Sequence, residues 1–173
     1  ETGDVACKTI CITKPRQNGK SYAARWYAII MAMAGKKVLY TCHNGSTTRK
    51  MFGFISATAK RVPDIRKRLD PSVPFVRSAG NEGVYFAPNK HGKAGLIEFQ
   101  TRTNSGALGQ TYDVIVADEA QEIDYGQLEV IKPTTIASES GDPQMIFVGT
   151  PPSPKSAGDV FRDYHDQAHA GEI

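Results

Sequence analysis

The sequence predicts an α/β fold in which a mainly parallel central sheet is covered by helices on both faces. The largely apolar segments at residues 113–117 and 145–148 are typical of buried strands of the kind that parallel sheets use, and residues 38–42 predict a further short strand. Segments rich in helix-forming residues lie between these runs. A chain of 173 residues with 40% hydrophobic content can bury one core, so we expect a single domain over residues 1–173.

The first half of the chain alternates strand and helix. A strand at residues 5–13 ends at Lys14-Pro15, and a helix at residues 21–34 closes at Gly35. A second strand at residues 38–42 precedes a helix that Ser46 or Thr47 can cap, and this helix runs to residue 61, before Pro63.

The second half begins irregularly and then returns to the same alternation. Residues 64–100 contain several prolines and glycines, and residues 89–93 are typical of a hairpin loop between two short strands. Strands at residues 113–117 and 145–148 follow. Helices are expected at residues 119–131 and 134–138, and a polar helix is expected at residues 159–169.

Composition excludes several classes of protein. The net charge is +3 and charged residues make up 23% of the chain, unlike a disordered polyelectrolyte or a histone-like arm, so nucleic-acid contact would be local. Cys7, Cys11 and Cys42 do not suit a disulfide framework and favour a reducing compartment. The longest apolar stretch is far shorter than the roughly 20 residues of a membrane span. We expect a soluble cytosolic protein without membrane contact, and the start at Glu1 suggests a domain taken from a longer chain.

The loop at residues 14–21 lies where a phosphate-binding P-loop must lie, between a buried strand and a helix. A P-loop requires G-x-x-x-x-G-K-[ST], because its backbone N–H groups wrap the phosphates, its lysine reaches the terminal pair and its hydroxyl holds Mg²⁺. Gly19, Lys20 and Ser21 match three of the four fixed positions, whereas Lys14 replaces the first glycine. The alternative is an ordinary turn followed by a helix cap.

If this loop binds a nucleotide, both its position before a helix and its basic residues favour the phosphates. The helix N-terminus contributes about half a positive charge, which favours a polyphosphate. Arg16 would place a guanidinium near the γ-phosphate. The residues expected to bind nucleotide are Pro15, Arg16, Gln17, Asn18, Gly19, Lys20 and Ser21.

Two carboxylates follow the apolar strand at residues 113–117, at the strand end where α/β sheets place ligand chemistry. With a P-loop upstream, this pattern is a Walker B motif. Asp118 would hold Mg²⁺ together with Ser21, and Glu119 would orient and deprotonate the water that attacks the γ-phosphorus. The alternative is that both carboxylates are only the N-terminal charge of the next helix.

The last strand ends in Val148-Gly149-Thr150-Pro151, which would place the Thr150 hydroxyl at the same sheet edge. This hydroxyl could sense the γ-phosphate or the attacking water, or it could simply stabilise a β-turn. The three motifs together predict a P-loop NTPase of the ASCE (RecA-like) type, with ATP and Mg²⁺ as its ligands and with Glu119, Lys20, Arg16 and Thr150 as its catalytic residues.

These motifs, in this order, resemble the ATPase domain of the large terminase subunit of tailed bacteriophages, the motor that packages DNA into procapsids. The matching segments are residues 15–21 (PRQNGKS), 114–121 (VIVADEAQ) and 148–151 (VGTP), together with the glycine-containing segment 103–109 (TNSGALG). The resemblance covers approximately residues 8–150. It implies that Arg16 handles the γ-phosphate and that Thr150 couples ATP hydrolysis to movement of double-stranded DNA.

The resemblance also implies partners and a location. Subunits would form a ring, a pentamer, on the portal protein, with the small terminase subunit as a further partner and a monomer expected in isolation. The protein would act in the host cell cytoplasm, transiently on the procapsid. A neighbouring subunit can supply an arginine finger in such rings. Arg102 is the first candidate for this role, although the family often has an arginine nearer the position that Ala107 occupies here.

Large terminases also carry a C-terminal nuclease domain, and we expect it to be absent from this chain, which supplies no matching carboxylate cluster. His165 and His169 in the tail could face one metal ion, but a polar C-terminal helix explains them equally well.

Residues 49–77 hold eight basic side chains against two aspartates, an excess of six positive charges. Such clustering can bind a phosphate backbone without base specificity, contact a neighbouring subunit or the portal, or form a solvated helix face. The candidate contacts within it are Lys60, Arg61, Arg66, Lys67 and Arg68.

Two other functions remain open from the residues alone. Asp118-Glu119-Ala120-Gln121 and Gly141-Asp142-Pro143-Gln144 both echo motifs of superfamily 1 and 2 helicases and translocases. The second tetrapeptide, however, precedes its strand here, whereas it follows a strand in helicases. A nucleotide- or DNA-binding module that does not hydrolyse ATP is the other alternative, because Lys14 departs from the P-loop pattern.

Overall fold

One sheet of seven strands runs through the molecule in a computed structural model, which describes residues 7–78, 80–103, 110–136, 138, 141–151 and 158–171. The sheet order is β1-β7-β6-β2-β5-β4-β3. The strands are β1 (Thr9–Thr13), β2 (Lys37–Cys42), β3 (Phe75–Ser78), β4 (Asn81–Phe86), β5 (Gly95–Thr101), β6 (Val114–Asp118) and β7 (Gln144–Gly149).

The first five strands in this spatial order are parallel, and β4 and β3 continue the sheet in antiparallel pairing. One strand, β7, lies between β1, which leads into the loop predicted to be a P-loop (residues 14–21, hereafter the P-loop), and β6, at whose end lies the acidic pair Asp118-Glu119. This interposed strand is the arrangement of the ASCE, RecA-like class. The predicted fold, a mainly parallel α/β sheet of that class, is confirmed.

Helices cover both faces of the sheet. One face carries α1 (Lys20–Met33) and α2 (Gly45–Arg61), followed by the short α3 (Pro63–Arg66). The other face carries a 3₁₀ turn (Ala120–Glu122), α4 (Tyr125–Ile131) and α6 (Val160–Ala170), and α5 (Pro133–Ile136) follows α4. Among the described helices, no segment combines the length and apolar character that a membrane span requires.

The alternation of side chains along the strands divides the core into two layers. In β6, Val114 and Val116 pack with α1 and α2, whereas Ile115 and Ala117 pack with α4 and α6. Successive side chains of a strand point to opposite faces, so Asp118 lies on the same face as Val114 and Val116. This parity directs the Asp118 carboxylate toward α1 and therefore toward the P-loop.

Parallel pairing also brings the carboxyl ends of the strands to one edge of the sheet. The P-loop follows β1, Thr150 follows β7, Glu119 follows β6 and Arg102 follows β5. The fold therefore collects most of the predicted functional residues at one edge, although they come from distant parts of the sequence.

Several local predictions differ from the structure. The first strand begins at Thr9 rather than at residue 5, and residues 5 and 6 lie outside the described part. The cap of α2 is Asn44, whose side chain accepts a hydrogen bond from the Thr47 backbone N–H, and not Ser46 or Thr47. The helix expected at residues 119–131 is interrupted, because Glu119 adopts a left-handed conformation and only a 3₁₀ turn precedes α4.

Candidate nucleotide-binding site

The P-loop joins β1 to α1 through an exposed turn. Two of its residues, Gln17 and Gly19, have positive φ angles of 63° and 74°, and Gly19 is the N-cap of α1. Alternation of right- and left-handed residues turns successive N–H groups toward one side, which forms a concave anion site. Arg16 and Asn18 are exposed on this turn, whereas Lys20 and Ser21 are half-buried at the start of the helix.

The backbone at Lys14 explains why this loop can lack its first glycine. Lys14 continues the pairing of β1 with β7, since its N–H donates to the Gly149 carbonyl at 3.1 Å. Its φ angle is not positive, since Gln17 and Glu119 are the two described residues other than glycine that have positive φ angles. A side chain at position 14 is therefore free of the backbone strain that would require glycine.

A hydrogen bond between side chains joins the P-loop to the end of β6. The Ser21 hydroxyl donates a hydrogen bond to Asp118 Oδ1 at 3.2 Å, across a separation of 97 residues. Asp118 is only 1% exposed and also accepts from the Glu119 backbone N–H at 3.0 Å. The structure thus brings together the two residues that the sequence predicts as Mg²⁺ ligands.

Tyr40 in β2 completes the environment of Asp118. Its hydroxyl donates to Asp118 Oδ2 at 2.9 Å, and the residue is fully buried. Burial and the neighbouring Asp118 carboxylate raise the pKa of Tyr40 well above its ordinary value, so the hydroxyl keeps its proton and remains a donor. Sequence analysis missed Tyr40, because its contact with Asp118 depends on the register between β2 and β6.

Glu119 has an unusual backbone and an unsatisfied carboxylate oxygen. Its φ and ψ angles are 56° and 44°, a left-handed conformation that costs a residue with a side chain about 1–2 kcal/mol. Its Oε2 is buried without a hydrogen-bond partner, one of four such side-chain atoms in the described residues. An unsatisfied buried acceptor of this kind is rare in folded proteins and is often found at functional sites.

Arg102 lies behind these carboxylates at the end of β5. Its Nη1 donates to the carbonyls of Thr41 at 3.1 Å and Asp118 at 2.7 Å, and its Nη2 donates to the Glu119 carbonyl at 3.0 Å. Burial lowers the pKa of Arg102, while Cys42 and Glu119 act in the opposite direction. A finger that acts on a neighbour's nucleotide must be exposed, and Arg102 is 5% exposed in the single chain. Its position therefore does not suit the expected role as an arginine finger in trans.

Gln121 connects the end of β7 to the turn formed by Glu119 and the 3₁₀ residues Ala120–Glu122, which we call the acidic turn. The Thr150 backbone N–H donates to Gln121 Oε1 at 3.1 Å. A Cβ at Gly149 would lie 2.7 Å from a Phe161 ring carbon and 3.0 Å from Gln121 Oε1, so only glycine fits there. Thr150, which follows β7, is therefore linked through the Gln121 side chain to the turn that begins at Glu119. The sequence motif contained Gln121, but only the fold reveals this bond.

The donor set of the site fits Mg²⁺ and a nucleotide triphosphate. Mg²⁺ prefers oxygen ligands and commonly binds through one or two protein oxygens together with substrate phosphates, and here the Ser21 and Asp118 oxygens are in contact. The turn before α1 presents backbone N–H groups that suit a phosphate, and among the described residues Glu119 Oε2 has no hydrogen-bond partner.

The basic residues lie away from this site. Helix α2 starts at the site edge and runs for 17 residues, about 25 Å, to Arg61 at the far end. Arg68 Nη2 donates to the carbonyl of Met33, the last residue of α1, at 3.4 Å. Lys60 lies over the Phe75 ring at 4.9 Å, and Lys67 pairs with Asp64 at 3.8 Å. The cluster Lys60, Arg61, Arg66, Lys67 and Arg68 therefore occupies the sheet edge opposite the P-loop.

Two further predictions concern the tail and the glycine-containing segment. In α6 the rings of His165 and His169 lie 4.4 Å apart, but the described residues contain no group of three or more metal-ligating side chains, and the tail is a helix as expected. Of the glycine-containing segment 103–109, residues 104–109 lie outside the described part, and this includes Ala107.

Neither a protein-family model nor a curated protein sequence matches the chain significantly. Several solved structures do match the chain in fold. The ATPase domain of the Thermus phage P74-26 large terminase, in an arginine-to-alanine mutant form, has a TM-score of 0.66 at 18% identity. The match covers 92% of this chain and 65% of that one. A second structure of that domain gives 0.60 at 16% identity, covering 95% and 81% of the two chains.

The large terminase of bacteriophage HK97 gives a TM-score of 0.73 at 12% identity over 95% of this chain. This chain spans 33% of the HK97 protein's length. Identities this low reflect common architecture rather than matching sequence. The chain thus has the fold of the ATPase domains of phage large terminases.

Proposed function

We propose that this chain binds ATP with Mg²⁺ and hydrolyses it, and that in the assembled protein this hydrolysis drives double-stranded viral DNA into a procapsid. The observation that carries the proposal is the hydrogen bond from the Ser21 hydroxyl to Asp118 Oδ1 at 3.2 Å. It joins a P-loop serine to a strand-end aspartate in the arrangement that a magnesium–nucleotide site requires.

The binding step belongs to the P-loop. Residues 16–21 would hold the phosphates through their backbone N–H groups, with Pro15 shaping the turn before them and with Lys20 and Arg16 adding positive charge around the β- and γ-phosphates. Ser21 and Asp118 would hold Mg²⁺, whose charge offsets that of the phosphate oxygens during phosphoryl transfer. Asp118 is prepared for this role, because Tyr40 and the Glu119 N–H already fix the direction of its carboxylate.

The hydrolytic step belongs to Glu119. Its buried Oε2 has no partner, so it can accept a hydrogen bond from water and then its proton. Thr150 is linked to the turn of Glu119 through Gln121 and would report the state of the γ-phosphate to the rest of the domain. A module that only binds nucleotide would have no use for an unpaired carboxylate at this position.

The test separates binding from hydrolysis by comparing phosphate release and Mg-ATP affinity in three proteins. Lys20→Ala should lose turnover because it removes the charge at the terminal phosphates. Glu119→Gln should keep Mg-ATP binding and lose turnover by about 10²-fold or more, the size of a general-base contribution. A Lys36→Ala variant is the matched control, since Lys36 lies just beyond the C-terminal end of α1, whereas Lys20 lies at its N-terminal end.

The proposal has two clear points of failure. Wild-type turnover in Lys20→Ala would remove the P-loop assignment. Unchanged phosphate release in Glu119→Gln would remove Glu119 from hydrolysis, and Mg-ATP binding without any wild-type turnover would favour the binding module.

Assembly and DNA movement form the wider part of the proposal, supported by the shared fold and by the basic cluster. The subunits would assemble as a homo-oligomeric ring, a pentamer, on the portal protein, with the small terminase subunit, in the host cell cytoplasm. The isolated chain would be a monomer with low turnover. Turnover should therefore rise with protein concentration and with double-stranded DNA, and a rate independent of both would contradict assembly-dependent activation.

A further inference from the structure

Arg102 is a buried cation that donates to backbone carbonyls rather than to a carboxylate side chain. Its guanidinium reaches from the end of β5 across β2 to the end of β6, where it contacts Thr41, Asp118 and Glu119 through their carbonyl oxygens. Its own backbone N–H donates to the Cys42 carbonyl at 3.0 Å. One side chain therefore ties together the carboxyl ends of three neighbouring strands.

The two hydrogen bonds from Arg102 to the carbonyls of Asp118 and Glu119 restrict the backbone angles of Glu119. The Asp118 carbonyl belongs to the peptide plane before the Glu119 Cα, and the Glu119 carbonyl belongs to the plane after it. Fixing both planes fixes φ and ψ of Glu119, and these angles set the direction of its Cβ. The left-handed conformation of Glu119, at φ 56°, is therefore held from both sides by one guanidinium.

A lysine cannot reproduce this arrangement. The planar guanidinium presents donors in a fixed fork, whereas an ammonium is a compact point charge on a flexible stem. Both nitrogens that reach the turn, Nη1 and Nη2, are used at 2.7 and 3.0 Å. Position 102 consequently demands the shape of arginine as well as its charge.

We propose that Arg102 is a positioning residue that acts within its own subunit and holds the Glu119 carboxylate in the orientation that hydrolysis needs. The inference rests on the proposed ATPase function, because it gives Glu119 its role. It replaces the expectation that Arg102 acts on the nucleotide of a neighbouring subunit.

The first test compares Arg102→Lys and Arg102→Met with the wild type. Displacement of a catalytic group by about 1 Å can cost 10²-fold in rate, so we expect kcat to fall about 10- to 100-fold in both. KM and the affinity for Mg-ATP should stay within about threefold, because the P-loop is untouched. Arg162→Met on α6 is a control for loss of an arginine, since Arg162 pairs with Asp159 at the surface.

Chemical rescue provides a readout that a purely structural role would not give. Millimolar guanidinium should partly restore kcat of an Arg102→Ala variant by donating to the same carbonyls, whereas methylammonium should not. Wild-type kcat in folded Arg102→Lys, or equal rescue by the two cations, would overturn the inference.

A mixing experiment separates the action in cis from an arginine finger in trans. Arg102→Lys subunits keep an intact P-loop, and Lys20→Ala subunits keep an intact Arg102. All samples are compared at the same total subunit concentration, because assembly is expected to raise turnover. The mixture should then give no more turnover than Arg102→Lys alone if Arg102 serves its own subunit, and a higher rate in the mixture would overturn the inference in favour of a finger.

A crystal structure of Arg102→Lys distinguishes failure of this inference from failure of the proposed function. If the wild type proves inactive, the proposed ATPase function fails on its own, and the Glu119 conformation still decides the positioning role. Glu119 should leave the left-handed region in the variant, and an unchanged φ would overturn the inference.

Discussion

At the scale of single residues, Asp118 is the point on which the site depends. Three donors surround its carboxylate: the Ser21 hydroxyl, the Tyr40 hydroxyl and the Glu119 N–H. A carboxylate that is 1% exposed would be costly to bury without such partners, because it loses its hydration. The donors therefore stabilise the buried carboxylate and also hold it beside Ser21, where we propose that Mg²⁺ binds.

Tyr40→Phe should separate these two contributions. The substitution removes one hydrogen bond to a buried carboxylate and should lower the free energy of unfolding by about 1.5–3 kcal/mol. It should also weaken the response of turnover to Mg²⁺, because Oδ2 loses its fixed direction. Denaturant titration and a Mg²⁺ titration of phosphate release measure the two effects.

Tyr112→Phe is the matched control for this change. Tyr112 is also buried, and its hydroxyl donates to Glu98 Oε2 at 2.6 Å, away from the P-loop. It should lose stability without any change in the Mg²⁺ response. An equal change in that response for both variants would show that Tyr40 has no special role.

At the scale of elements, the close approach of β7 to its neighbours determines how the acidic turn is held. Gly149 ends β7 directly beneath Phe161 of α6 and beside Gln121 of the 3₁₀ turn. The bond from Thr150 to Gln121 is possible only because no side chain intervenes at position 149. The glycine therefore serves the connection between strand and turn.

Gly149→Ala should destabilise the protein by about 1–3 kcal/mol, the usual cost of overpacking a core. The added Cβ would lie 2.7 Å from the Phe161 ring, so α6 or the turn must shift. Denaturant unfolding gives the change in stability, and phosphate release gives the accompanying change in turnover.

Gly53→Ala is a control in which the same replacement should change the stability in the opposite direction. A Cβ at this exposed position in α2 meets nothing within 4 Å, and alanine is favoured over glycine inside a helix by about 1 kcal/mol. This variant should be more stable than the wild type. Destabilisation of both variants to a similar degree would mean that the close contact at Gly149 is not the cause.

Sequence patterns predicted elements better than the contacts between them. The buried strands were evident from continuous apolar runs, and α1 from its helix formers and closing glycine. The cap of α2 was misplaced because Asn44, Ser46 and Thr47 are all good capping residues, and only the backbone reveals that Asn44 has the extended conformation of a cap. The break at Glu119 had no local signal, and the side chain that donates to the carbonyls on both sides of its Cα is Arg102, 17 residues away in the sequence.

At the scale of the whole molecule, the candidate nucleotide site and the basic cluster lie at opposite edges of the sheet. The P-loop and the acidic turn were predicted correctly as neighbours, because parallel strands end at one sheet edge. The position of the basic cluster was not predictable, since it depends on the length and direction of α2. Positive charge at that far edge cannot contact the nucleotide, so any effect of DNA there must reach the site through α1, α2 and the sheet.

Charge reversal at the far edge tests whether DNA binds there. Arg66→Glu with Lys67→Glu should weaken binding to double-stranded DNA by at least tenfold and should make the dependence of log Kd on log salt shallower, because fewer counterions are released. Lys132→Glu with Arg162→Glu changes the net charge equally on the opposite face of the sheet, and should have a much smaller effect. Fluorescence anisotropy across a salt series gives both quantities. Equal losses in the two double variants would show that DNA responds to overall charge, and unchanged binding in the first would leave the basic cluster as a surface for a neighbouring subunit or the portal.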